Sequence, residues 1–248
     1  MDIIINADDY GWNKTCTLAI LEAFRKGYIT TTTMCANGYA FDLATEQIML
    51  NQFNNQVGIH FVLTEGIPLT DSIKRNRLFC DNDGVYHGKI NRYKYLNSSE
   101  QNEVFLELKA QVEKMKQAGF IIQHADSHHH IHTAPFITPI VCAVMKEYGI
   151  EGLRLHRNIG NISWKKVILK KVYNRELKRK NYAYSDYFGS FADLEYNSDI
   201  LKRKGTLEIM CHPDFDKNGN LIDRAGEASY EAPFGDELAR QYVLTLEA

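Results

Sequence analysis

The stretch HADSHHHIH, residues 124–132, gathers five of the chain's nine histidines around one aspartate. Neutral imidazoles are common metal ligands, and protonated ones repel when crowded. Five separate structural reasons would be needed to explain this cluster without chemistry. A purification tag sits at a chain end and lacks the Ala-Asp-Ser interruption. If the cluster ends a strand, alternation puts His124, Asp126 and His128 on one face, with His128 nearest the carboxyl end. Asp126 can then bond a ligand histidine from behind and fix its tautomer. His128 and His132 stand four apart, the spacing of a helical ligand pair. Pro135 argues that the next helix starts too late for that, so His128 alone is expected from this segment.

Three other places carry chemistry-bearing residues: Asp8 and Asp9 in NADDYG, His60 in VGIHFVL, and His212 in MCHP. Each has an ordinary explanation by itself. Paired aspartates before a helix complement its dipole, and a lone histidine in an apolar run is usually a hydrogen-bonded core residue. Their shared position, at the ends of expected strands, is the stronger signal. One carboxylate and two histidines with open positions describe a catalytic divalent-metal site. Zinc, manganese, cobalt and ferrous iron accept such ligands, whereas magnesium prefers oxygen. A spare carboxylate can take a proton from water and a separate imidazole can protonate a leaving group; Asp8 and His212 offer both.

The elements that must position these residues alternate. Strands are expected at 3–6, 30–37, 56–63, 120–128, 152–157 and 205–213. Helices are expected at 17–28, 41–51, 99–119 (capped by Ser98 or Ser99) and 135–149. Alternation of this kind implies parallel strands joined by helical crossovers, with sites at the strands' carboxyl ends. Residues 64–97 are polar and irregular, as expected of an insertion over the active face. WKKVILKKVYNRELKRK, 164–180, carries eight basic residues and one Glu. It reads as an amphipathic helix whose basic side is solvated in preference to binding an anion.

Composition bounds the rest. The 248 residues suit one α/β barrel domain, 44% hydrophobic and 24% charged. A net charge of −2 gives no reason to expect nucleic acid or an anionic membrane as partner. The five cysteines show no CxxC spacing, so reduced, mostly buried thiols in a cytoplasm are expected. The start lacks the pattern of a signal peptide, and no run approaches the ~18 apolar residues of a membrane helix.

NADDYG (6–11), GIHFVLTEGIPL (58–69), HADSHHHIH (124–132) and LEIMCHPDF (207–215) resemble the YdjC-like carbohydrate deacetylases, a group that includes chitooligosaccharide deacetylase. GYITTTTMCANG (27–38) and YFGSF (187–191) are similar too. The resemblance spans most of the chain but is thin over 70–98 and 158–185. It implies a distorted (β/α) barrel and hydrolysis of the N-acetyl amide of a small carbohydrate. It implies Asp9, His60 and His128 as metal ligands, Asp8 as base, His212 as acid, and magnesium as the ion, where ligand chemistry alone leans toward zinc. Asp126, His132 and Arg154 (with Arg157) are expected to support the ligands or touch substrate, and Trp12, Tyr39, Tyr86 and Phe215 to stack on sugar rings. A homodimer is compatible. The chain stops at LARQYVLTLEA, where the resemblance implies a further terminal helix. Two other readings compete: a glycosidase using Asp8 and Asp9 as paired carboxylates, and a non-catalytic, metal-stabilised sugar-binding module. A metallophosphatase is a weaker third.

Overall fold

The computed structural model describes residues 1–224 and 231–233. The implied terminal helix falls outside them. The first strand, β1 (Asp2–Tyr10), runs well past the apolar 3–6 and contains both aspartates. It can do so because its polar side chains are bonded inside. Asn6 Nδ2 donates to Asp8 Oδ1 (2.9 Å) and to Thr33 Oγ1 (3.2 Å).

Helix α1 (Lys14–Arg25) begins earlier than 17 because Asn13 caps it, accepting from the Cys16 N–H at 3.0 Å. β2 (Thr31–Met34), α2 (Phe41–Leu50) and β3 (Val57–Phe61) follow. The 64–97 stretch contains one short helix, α3 (Asp71–Lys74). Its start is tied to α4 (Ser98–Gln117) by two buried polar residues. Glu107 accepts from the Leu69 and Thr70 N–H groups, and Gln111 bonds both backbone groups of Val62. The cap of α4 is Asn97, not a serine, in a capping box with Glu100.

β4 (His124–Ser127) is shorter than 120–128. Residues 128–133 leave the strand as a tight turn, and α5 (Thr138–Tyr148) starts three residues after Pro135. β5 is only Gly152–Leu153. The basic segment forms α6 (Trp164–Arg179), from which Asn174 and Leu177 are buried. β6 (Tyr187–Ser190), α7 (Phe191–Tyr196) and β7 (Thr206–Cys211) complete the main layers. β8 (Pro213–Phe215), β9 (Leu221–Arg224) and β10 (Glu231–Pro233) form a small antiparallel sheet.

The seven long-range strands pair in the order β5-β4-β3-β2-β1-β7-β6, and every neighbouring pair is parallel. The sheet curls into a half-barrel with β5 and β6 as its edges. This is the expected α/β fold of the distorted (β/α) barrel type. β1 lies in the interior of the sheet, where Ile5 and Ala7 are fully buried. Gly58 in β3 is required by a neighbour: a Cβ there would run into the His124 ring. The five cysteines are free thiols. Among the described residues no helix is long and apolar enough to cross a membrane.

Candidate active site

Two backbone distortions aim the site. Between Ala7↔Thr32 and Tyr10↔Met34, β1 advances three residues while β2 advances two. The extra residue is a bulge, and Asp9 sits in it with φ 68°. In a regular strand Asp8 and Asp9 would point to opposite faces; the bulge brings both carboxylates to one cluster. The second distortion follows β4, where His129 and His130 both adopt φ 51°. Such left-handed residues cost on the order of 1–3 kcal/mol each and persist only when surrounding contacts hold them. Here Arg92 supplies contacts, donating to the carbonyls of His129 (3.0 Å) and His130 (2.5 Å) and to Thr133 Oγ1.

The result is convergence on Asp9. His60 Nε2 lies 3.0 Å and His128 Nδ1 2.8 Å from Asp9 Oδ1. Each imidazole is held from its far side by another carboxylate. Asp126 Oδ1 is 2.7 Å from His60 Nδ1, and Glu65 Oε2 is 2.9 Å from His128 Nε2. That arrangement fixes which ring nitrogen faces inward, as in metal sites where an outer carboxylate orients a ligand histidine. Burial disfavours the charged form of His60, but Asp126 and Asp9 outweigh it and push it up to about 10. Burial likewise opposes ionisation of Asp9, yet bonds from His128 and His60 hold it well below the usual carboxylate range. A carboxylate with two imidazoles drawn against it, all inward-facing, is a donor set that fits a divalent cation.

Cys35, unremarked in the sequence, adds a thiol within the same space. Its Sγ is 3.9 Å from Asp9 Oδ1, and the donor atoms of Asp9, Cys35 and His60 lie within 4.8 Å of one another. Asp8, His60 and Asp126 also lie that close. There, however, the cation position is filled: Arg154 Nη1 is 2.6 Å from both Asp8 Oδ2 and Asp126 Oδ2.

Of the two roles expected of Arg154, the geometry matches support from behind the site. It is completely buried and bonds three carboxylates, Asp8, Asp126 and Glu208, the last through Nε at 2.6 Å. Burial pushes the Glu208 carboxyl up to about 7 against the pull of Arg154, and its Oε2 has no partner. Asp8 is driven the other way: despite burial, the Arg154 guanidinium holds it far below the usual carboxylate range. His212 Nε2 stands 4.0 Å from Asp8 Oδ2 and its side chain is 28% exposed.

Four other expected residues lie elsewhere. His132 is buried behind the turn, its Nδ1 2.6 Å from Ser127 Oγ, and it touches neither ligand nor solvent. Tyr86 is a core residue, and Phe215 packs in a groove against α1. Arg157 pairs with Asp193 at 3.1 Å. Trp12 does reach the site, stacked on His128 with ring centroids 5.3 Å apart, and exposed Tyr39 meets its edge. Sequence reasoning missed Glu65, Glu208, Asn6 and Thr33. Thr33 bonds Asp126 Oδ2 (3.0 Å) and lies 3.2 Å from His60 Nδ1. A threonine run in a strand carries no local sign of that role.

The buried imidazoles predict a pH dependence of stability. Burial pushes His124 and His156 down to about 4, and His132 well below its ordinary value. Each folded-state value lies below the unfolded one near 6.5. Each group therefore contributes stability that is present above about pH 6.5 and lost as pH falls toward 4. His60, raised, makes its contribution in full below pH 6.5 and loses it as pH climbs above 6.5, so it offsets part of the loss only between pH 7.5 and 6.5. Urea unfolding of the metal-free protein should show a loss on the order of several kcal/mol between pH 7.5 and 4.5. A flat profile would mean that these rings accept protons inside the fold.

The sequence model of the YdjC-like protein family matches residues 2–242. A carbohydrate deacetylase from Clostridium beijerinckii is 30% identical over 219 residues, spanning 87% of this chain and 82% of that protein. Another, from Listeria welshimeri, is 36% identical over 220 residues with the same shares. A solved structure from Enterococcus faecalis, described as a cellobiose-phosphate cleavage protein, superposes with a TM-score of 0.67 at 25% identity, covering 88% of this chain and 82% of that one. The likeness runs along nearly the whole described chain and includes the strands that bring Asp9, His60 and His128 together, so this protein belongs to the YdjC-like family.

Proposed function

We propose that the protein is a metal-dependent carbohydrate deacetylase that hydrolyses the N-acetyl amide of a small amino sugar or oligosaccharide. The observation that carries this reading is the convergence of His60 Nε2 and His128 Nδ1 on Asp9 Oδ1, each imidazole backed by its own carboxylate. The names of the relatives agree with it. Asp9, His60 and His128 would hold one divalent cation. When bound, it supplies a Lewis acid that polarises the acetyl carbonyl and makes water a better nucleophile at neutral pH.

The chain's own residues do the rest. Asp8 stays ionised at any physiological pH and is held in one orientation by two Arg154 bonds, 2.6 and 2.7 Å. It receives the proton of the attacking water. His212, facing Asp8 and partly open to solvent, delivers a proton to the departing amine and recovers it from bulk water. Trp12, stacked on His128 with Tyr39 at its edge, offers an aromatic face to a sugar ring. The paired-carboxylate glycosidase reading loses its acid, because Asp8 and Asp9 are both held ionised.

Imidazole and carboxylate donors, with a thiol close by, favour zinc or another transition ion; family resemblance implies magnesium. The test is acetate release from di-N-acetylchitobiose before and after chelation, followed by return of single metals. Chelation should lower the rate at least about a hundredfold, with recovery by zinc, cobalt or manganese ahead of magnesium. New reducing ends without acetate would establish a glycosidase instead. Tight sugar binding without turnover at any metal loading would establish a binding module.

A further inference from the structure

Strand β2 sends more than one residue toward the site. Thr33 Oγ1 lies 3.2 Å from His60 Nδ1 and donates to Asp126 Oδ2 at 3.0 Å. Two residues on, just past the strand's end, Cys35 keeps the same face by alternation. Its N–H donates to the Tyr10 carbonyl at 2.8 Å, which ties it to β1 beside the bulge at Asp9. Cys35 is fully buried, and its thiol donates to Asp9 Oδ1 over 3.9 Å. That is the oxygen on which His60 and His128 converge.

A buried free cysteine usually acts as a small apolar residue with a weak S–H donor. Cys16 and Cys211 fit that description. Cys16 Sγ donates to the carbonyls of Asp9 (3.3 Å) and Asn13 (3.4 Å), and Cys211 Sγ to that of Asn6 (3.5 Å). Cys35 differs, because its sulfur faces a carboxylate and an imidazole. The donor atoms of Asp9, Cys35 and His60 all lie within 4.8 Å of one another. Four donors around a zinc-sized ion stand about 3.3–3.8 Å apart, so one ion reaches all three after shifts of about 1 Å. The other donor clusters are less suited. Arg154 fills the one at Asp8 and Asp126, and the one at Glu65, His128 and His129 is half open to solvent.

We propose that Cys35 is a fourth protein ligand beside Asp9, His60 and His128, and that its sulfur selects a transition ion over magnesium. Thiolates favour zinc, cobalt and cadmium, whereas magnesium and manganese favour oxygen. As the metal–sulfur bond forms, the S–H bond breaks and its proton leaves to solvent. The inference rests on the metal site of the proposed function and deepens it from a carboxylate–imidazole set to one containing sulfur.

The test adds cobalt(II) to the metal-free full chain and reads its absorbance. Wild type should show visible cobalt bands together with a near-ultraviolet thiolate-to-cobalt charge-transfer band. Cys35→Ser and Cys35→Ala should keep the visible bands and lose the charge-transfer band, while Cys16→Ser keeps both. In titrations with single ions, either Cys35 variant should lower the preference for cadmium over manganese about tenfold or more. Circular dichroism checks that each variant is folded, and the wild-type spectrum decides the matter if neither Cys35 variant folds. Cobalt bound without the charge-transfer band, or a band that survives both Cys35 variants, overturns the sulfur ligand and leaves the metal site standing. The band in wild type, lost with Cys35 but with no acetate release from any substrate, keeps the ligand and overturns the deacetylase. A folded chain that binds no cobalt overturns the metal site and the sulfur ligand together.

Discussion

Asp9→Asn is expected to lower acetate release by about three orders of magnitude while the protein stays folded, because the proposed cation would lose its charge-bearing ligand. Asparagine tolerates the φ of 68° at this position, so the bulge in β1 is kept. What changes is charge. Asp9 Oδ1 is the point on which His60 and His128 converge, and a neutral amide binds a divalent cation far more weakly. The side chain is 20% exposed and bonds only other site residues, so little stability depends on it. Metal content, thermal midpoint and turnover should be read together. The expected pattern is metal lost, midpoint nearly unchanged, turnover lost. Wild-type turnover with full metal would remove Asp9 from the ligand set.

Arg154→Met should act in the opposite manner, through the fold first. It removes the one cation shared by Asp8, Asp126 and Glu208, all buried. Leaving buried charges unpaired costs roughly 3–5 kcal/mol, which urea unfolding at pH 7.5 would register as a large fall in midpoint. Arg154→Lys should recover little, since one ammonium cannot reproduce bonds to three carboxylates from a planar fork. Adding Glu208→Gln to Arg154→Met should restore little, because a carboxyl that burial already pushes up to about 7 takes up a proton once Arg154 is gone. A midpoint like that of the wild type would show that the carboxylates neutralise by taking up protons.

Most of the candidate site was readable in the sequence because the signals are local. Strand ends expose polar residues at a rim, and four such ends carry Asp8–Asp9, His60, the histidine cluster and His212. The misreadings share a physical cause. The sequence leads one to expect the first strand to end at Asn6, because polar residues usually stop an apolar run. In the fold, Asn6 and Asp8 stay inside because Thr33 and Arg154 bond them. Arg154 is expected either to support the ligands or to touch substrate, and three buried carboxylates from distant strands favour support. His132 is expected to support the ligands or touch substrate, but two left-handed residues at His129 and His130 turn the chain so that it faces Ser127.

The sequence by itself determined the alternating parallel architecture and the identity of the residues that meet at its rim, since periodicity and residue type act over a few positions. Only the tertiary structure decided which atoms face inward, which carboxylates are held ionised, and that the Cys35 thiol meets Asp9. Those outcomes depend on partners as far apart as Asp8 and Arg154 or Thr33 and Asp126. Burial and charge pairing between such groups are properties of the assembled fold, and no local pattern encodes them.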